Sequence, residues 1–330
     1  TKSMSAGLCA AALECRDVIL GFSRGDRANL LKITDGTQSL HLNRGHPAIR
    51  ERQKKAVVTF FQRFDYAAAI SLLENTLQTP DLPTTESQPL EAWLVWARAL
   101  DSWDRFDHNV AWALLAKRRR DQPQLVMFLE ACIHSRRLLD EEFGKLKLEG
   151  TGAKAKGHGY ELIQDLRLNA ERRAAQGRYD DAVARLYRAA ELLAQARLVT
   201  GHEIRTGDVK LDKLPVSLQS KYKNKANASG KIQVALMPAY ELLFDLVQDK
   251  PEPLGQHFND NRDKMKDFLR IRNGSILAHG FTPVSERDYE QAQDFFDSFV
   301  NEAFSRLSQA KMLDKPYAQP MQFPQTLPQI

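Results

Sequence analysis

From Pro47 to about Lys311 apolar residues recur at helical spacing, with almost no strand-like alternation between them, and this pattern most constrains the fold. It predicts helices over 48–63, 65–78, 90–118, 122–143, 160–176, 179–200, 231–248, 258–279 and 285–312. The one convincing strand region is 28–42, where two short alternating runs flank Asp35-Gly36, a hairpin signal. Residues 4–20 read as a helix that is apolar nearly all round and so needs cover on both sides. The expected class is mainly α, with a small α/β portion at the N-terminus.

Punctuation between the helices suggests the domain plan. A chain of 330 residues holds about two domains. Residues 79–90 contain Pro80, Pro83 and Pro89 among polar neighbours, which predicts a linker. Residues 150–159 carry four glycines and no large apolar side chain, which predicts a flexible boundary. Residues 206–230 read as a basic loop bearing Lys210, Lys213, Lys221, Lys223 and Lys225. Four prolines in 316–330 predict an extended, mobile tail. The expected segments are 1–45, 46–149, 150–315 and 316–330. The stretch from Phe64-Asp65-Tyr66 echoes Tyr179-Asp180-Asp181, but no copies lie between them at a 34-residue period. A regular solenoid is therefore not expected, and two aromatic-plus-acid helix starts are.

Composition narrows the partners. The net charge of +5 permits a nucleic-acid partner without requiring one. No stretch approaches the roughly 18 apolar residues of a membrane span, and the first residues show no secretion signal. Cys9, Cys15 and Cys132 are an odd set without framework spacing, so reduced thiols in a cytoplasm are expected.

Three motifs bear on chemistry. Neither H-E-x-x-H nor C-x-x-C occurs, and Cys9 and Cys15 fall on different sides of a helix, so no metal site is expected. Gly152-Ala153-Lys154-Ala155-Lys156-Gly157 has the glycine spacing of a phosphate loop. His158-Gly159 stands where that loop needs Lys-Ser/Thr, so the stretch reads as a linker. The third motif is Arg272-Asn273 with His279, seven residues from Arg272. On a helix this is about two turns, roughly 10 Å, with both side chains on nearly one face. An arginine fork holds phosphate and a histidine exchanges protons near neutral pH. Together they suffice for RNA cleavage by attack of the 2′-hydroxyl on the adjacent phosphate. The competing reading is a basic helix C-terminus, with His279 complementing the helix dipole. A second pair, Arg197 and His202, falls where the helix is expected to end, at Thr200-Gly201, and reads as a terminal cation and cap.

Arg272-Asn273 with His279, late in a helical domain, resembles the R-N-x(n)-H signature of HEPN ribonucleases. The stretch from Tyr179 to Glu191 is similar to the first long HEPN helix of one branch, the CRISPR-associated CARF–HEPN ribonucleases of type III systems. Thr1-Lys2-Ser3-Met4 resembles the end of the G-G-T-K-x-M loop of their Rossmann-like CARF domain, which holds a cyclic oligoadenylate. The resemblance covers the first twenty or so residues and about 160–310, and is less diagnostic over 46–150.

The resemblance implies a CARF remnant at 1–45, a helical connector at 46–149, an HEPN bundle at 150–315 and a Pro-rich tail. Arg272, Asn273 and His279 become the catalytic set, with Asn273 orienting the phosphate or the histidine. Thr1 and Lys2 become the remnant of the activator site. The implied activity is metal-independent cleavage of single-stranded RNA by a homodimer, activated allosterically by cyclic oligoadenylate in antiviral defence. The two glycines expected before Thr1, and the first half of the CARF domain, are absent from the sequence. Truncation and weak activator binding are therefore expected. The rival readings are a non-catalytic, tetratricopeptide-like interaction protein and the HEPN toxin of a toxin–antitoxin pair.

Overall fold

The computed structural model describes residues 20–24, 39–43, 46–79, 82–149, 157–247, 251–313 and 318–327. Thr1, Lys2, Cys9, Cys15, most of the helix expected over 4–20, the Asp35-Gly36 turn and residues 150–156 lie outside them. The chain is mainly α, with thirteen α-helices and one two-stranded sheet among the described residues. Backbone contacts divide it into two compact units, 1–97 with 325–327, and 98–324 with 328–330.

In the first unit, β1 (Leu20–Arg24) pairs antiparallel with β2 (Ser39–Asn43). β2 overlaps the second predicted strand run, but β1 begins where a helix was expected to end. Gly21 and Ser23 are poor helix formers, consistent with the switch. Helices α1 (His46–Gln62) and α2 (Tyr66–Leu77) follow. Between them Phe64 takes a left-handed φ of 55°, and the Asp65 carboxylate caps α2 by accepting from the Ala68 N–H at 3.2 Å. Phe61, Tyr66, Ala69 and Leu73 are buried here, and the Phe61 and Tyr66 rings meet edge to face at 5.5 Å. The predicted linker is shorter than expected, because α3 (Thr84–Asp104) starts at Thr84 and contains Pro89. Proline there removes one hydrogen bond near the helix start, and the buried stripe Leu90, Leu94, Trp96 and Ala97 outweighs it. The boundary between the units falls inside α3.

The second unit holds α4 (His108–Leu115), α5 (Pro123–Leu139), α6 (Glu141–Gly144), α7 (Glu161–Ala175), α8 (Tyr179–His202), α9 (Val216–Lys223), α10 (Leu236–Asp245), α11 (Pro253–Asp260), α12 (Arg262–Gly274) and α13 (Glu286–Gln309). The single helix predicted over 90–118 breaks at Phe106, whose φ is 61°, and Asp107 caps α4. α8 is the organising element. Ala182, Val183, Leu186, Ala189, Ala190 and Leu193 form a buried stripe with helical period, against which α7, α10, α12 and α13 pack. α13 starts at a capping box of Ser285 and Asp288 and buries Tyr289, Phe296, Phe299 and Val300. Tyr240 stacks on Phe258 at 4.9 Å and meets Phe299 edge-on at 5.8 Å.

Three loop expectations change. The basic stretch 206–230 contains α9, and Lys210, Lys213 and Lys221 pair with Asp208, Glu203 and Asp245. The last residues of the glycine-rich boundary are packed: a Cβ on Gly157 would lie 2.5 Å from the Ala131 oxygen, and the Gly159 N–H donates to Ser135 Oγ at 3.2 Å. The described tail is also packed. Phe323 is buried beneath the Arg172 guanidinium, 3.7 Å away, and the Gln322 amide donates to the Leu168 carbonyl at 3.0 Å. Proline limits the tail to an extended strap and does not stop it from packing.

Candidate functional site

Arg272 lies in the last turn of α12. Its guanidinium sits over the ring of Tyr187 on α8, 4.6 Å from the centroid, and Nη1 donates to Asn273 Oδ1 at 3.1 Å. A cation–π contact of this kind contributes about 0.5–1 kcal/mol at a partly exposed site and fixes the fork. Burial raises the Tyr187 phenol above its usual value, Glu191 adds to the rise, and Arg272 and Arg188 oppose it. The phenol is therefore neutral at neutral pH.

The helix stops at Gly274, five residues before the predicted end. Asn273, Gly274 and Ser275 are all poor helix formers, and Ser275 turns extended at φ −67°, ψ 145°. A distant residue also holds it there. Ser275 Oγ donates to the Asp180 carboxylate at 2.7 Å, and the same carboxylate accepts from the Val284 N–H at 3.2 Å. The Ala278 and Gly280 N–H groups donate to the Ser275 carbonyl at 3.0 and 3.1 Å, and the Thr282 N–H to the Gly274 carbonyl at 3.3 Å. Residues 275–282 thus form a closed turn on the end of α12. Gly280 permits the closure, because a Cβ there would lie 2.0 Å from the Gly274 oxygen.

His279 therefore does not stand two helical turns from Arg272 on a common helix face, as the spacing suggested. It leaves from the closed turn that folds back on the end of α12. Of the six histidine side chains described, His279 is exposed, whereas His108, His134 and His257 are buried and His158 and His202 are intermediate. Arg272 is partly exposed and Asn273 exposed. Around them Ile276, Leu277 and Phe281 are 56%, 63% and 90% exposed.

Residues 151–303 match the Csm6 HEPN domain. This match supports a CRISPR-associated HEPN family for that segment. The matched segment contains Arg272, Asn273 and His279, and also Asp180, which the sequence marked only as an acidic helix start. No curated protein matches the chain.

The second Arg–His pair of the matched segment has a different setting. α8 runs through Thr200-Gly201 to His202 and ends on Glu203 with a left-handed φ of 55°. Arg197 is buried and its Nε donates to Glu252 Oε1 at 2.6 Å. A Cβ on Gly201 would lie 2.4 Å from Arg197 Nη1, so glycine makes room for the guanidinium. Burial, reinforced by Arg197, lowers His202 to about 4. His202 is therefore neutral at pH 7 and not the terminal cation that the sequence suggested.

Among the described residues no helix is long and apolar enough to cross a membrane.

Proposed function

We propose that the HEPN segment is a metal-independent endoribonuclease acting on single-stranded RNA, with Arg272, Asn273 and His279 as its catalytic set. The observation that carries this reading is the exposed His279, held on the closed turn that follows α12, whose last turn carries a partly exposed Arg272 fixed over Tyr187, all within the matched segment. His279 takes the proton of the 2′-hydroxyl as that oxygen attacks the adjacent phosphorus. The bond to the 5′ oxygen breaks, and that oxygen takes up a proton from an imidazolium. Arg272 holds the charge on the phosphorane oxygens, and Asn273, bonded to its Nη1, orients the fork. The products are a 2′,3′-cyclic phosphate and a 5′-hydroxyl.

One chain offers one histidine for two proton transfers, and a homodimer supplies the second. The exposed apolar side chains of Ile276, Leu277 and Phe281 on the catalytic turn support such pairing. Cyclic oligoadenylate activates the enzyme in type III CRISPR defence in the cytoplasm, with Thr1 and Lys2 in its binding loop. Support for this part comes from the resemblance of Thr1-Lys2-Ser3-Met4 to the CARF loop.

The test is cleavage of a labelled single-stranded RNA in excess EDTA, with and without cyclic oligoadenylate, and analysis of the product ends. Cyclic phosphate and 5′-hydroxyl ends formed in EDTA are expected. Loss of cleavage in EDTA, or 5′-phosphate ends, would contradict the mechanism.

A further inference from the structure

A cleft of about 730 Å³ opens in the second unit among α5, α7, α8 and the loop after α8. Its floor is apolar, with Leu162 and Leu166 of α7 facing Leu192 and Val199 of α8. Four arginines, Arg136, Arg185, Arg188 and Arg205, also line it, and each has a carboxylate within 4 Å: Asp140, Asp181, Glu191 and Glu141. Volume and lining fall within the range of sites that take organic ligands.

The four arginines are already held by hydrogen bonds and ion pairs. Arg136 Nη1 donates to the Phe106 carbonyl at 2.9 Å and its Nε lies 3.7 Å from Asp140. Arg185 uses Nε on Asn169 and Nη1 on Asp181. Arg188 uses Nη1 on Glu191 and Gln195, at 2.8 and 2.9 Å. Arg205 uses Nη1 on the Leu139 carbonyl and Nε on Glu141, at 2.9 and 2.8 Å. In every case these bonds leave the Nη2 donors unused. Such forks are preorganised for phosphate oxygens and lose little rotamer freedom on binding.

The cleft also adjoins the candidate catalytic arginine. Arg272 covers Tyr187, and the next residue of α8, Arg188, lines the cleft. Successive helical residues are turned by about 100°, so Tyr187 and Arg188 point to neighbouring flanks of α8. We propose that this cleft binds single-stranded RNA away from the scissile phosphate, with phosphates on the four guanidiniums and bases on the apolar floor. The inference rests on the ribonuclease reading for the identity of the polyanion. An RNA strand is favoured over an acidic peptide because it would lead continuously from this rim to Arg272.

The test uses the full chain bearing His279→Ala, so that RNA is bound and not cut, and a labelled 15-nucleotide oligouridylate as probe. Arg188→Ala with Arg205→Ala, both at exposed guanidiniums, is expected to weaken binding about tenfold. It should also flatten the slope of log affinity against log salt by about 1.4, the value for two lost phosphate contacts on a single strand. The same pair placed in the His279-containing chain should leave the cleavage rate of a tetranucleotide unchanged and slow cleavage of the 15-mer at low concentration. Unchanged RNA affinity would overturn the proposal, as would tighter binding of a 15-residue oligoglutamate than of RNA. Loss of RNA binding in the double variant, in a parent that cuts no RNA, would uphold the cleft and remove the ribonuclease reading instead.

Discussion

The segment 151–303 contains two arginine–histidine pairs, one at the end of α8 and one at the end of α12, and they have opposite fates. Arg197 is buried against Glu252, and burial, reinforced by Arg197, keeps His202 neutral. Arg272 lies on an aromatic face at the surface, and His279 stands exposed on a closed turn. The spacings are five residues in one pair and seven in the other, and neither spacing by itself separates a structural pair from a chemical one. What separates them is whether the guanidinium already has a carboxylate and whether the imidazole can reach a substrate.

The sharpest contrast is in stability. Arg197→Ala leaves the buried Glu252 carboxylate unpaired and is expected to cost about 3–5 kcal/mol, read from the shift in denaturant midpoint. Arg272→Ala should move that midpoint by less than about 1 kcal/mol, since it removes only a surface cation–π contact and an exposed hydrogen bond to Asn273. Comparable losses in both variants would break the distinction.

A second prediction tests how the exposed pair is held. Asp180→Ala removes the acceptor for Ser275 Oγ and the Val284 N–H, and cleavage should fall about tenfold through kcat with KM nearly unchanged. Asp180→Asn keeps acceptor capacity and should recover most of the loss. An equal defect in both variants, or a change confined to KM, would show that Asp180 does not position the turn.

The smallest expected effect concerns pH. Folding opposes protonation of His202, so the unfolded chain binds more protons between its ordinary value near 6.5 and the folded value of about 4. The stability that depends on neutral His202 is therefore complete above pH 6.5 and is lost as pH falls toward 4. Screening at this half-buried site limits the loss to roughly 1–2 kcal/mol. His202→Gln should flatten that limb in urea titrations at pH 7 and pH 4.5, and an unchanged slope would refute the assignment.

Much of this was legible in the chain, because the helical period is local. The stripes of α8 and α13 and the helix break near Phe64-Asp65 follow from neighbours within a few residues, whereas the expected common helix face for Arg272 and His279 did not hold. What escaped depends on distant partners. Asp180 meets Ser275 across 95 residues, Arg197 meets Glu252 across 55, and Arg172 meets Gln322 across 150. The predicted helix over 258–279 failed for the same reason: Asn273-Gly274-Ser275 is only weakly helical, and the contact with Asp180 decided where it stops. Pro89 shows the converse, a local breaker overridden by burial of the helix that contains it.

The catalytic assignment is tested most directly by cleavage of a labelled single-stranded RNA by the wild type, Arg272→Ala and His279→Ala, each checked for an unchanged thermal midpoint. Loss of at least about a hundredfold in rate in both folded variants is expected. Wild-type rates in either folded variant would contradict the assignment of Arg272 and His279 as the catalytic pair.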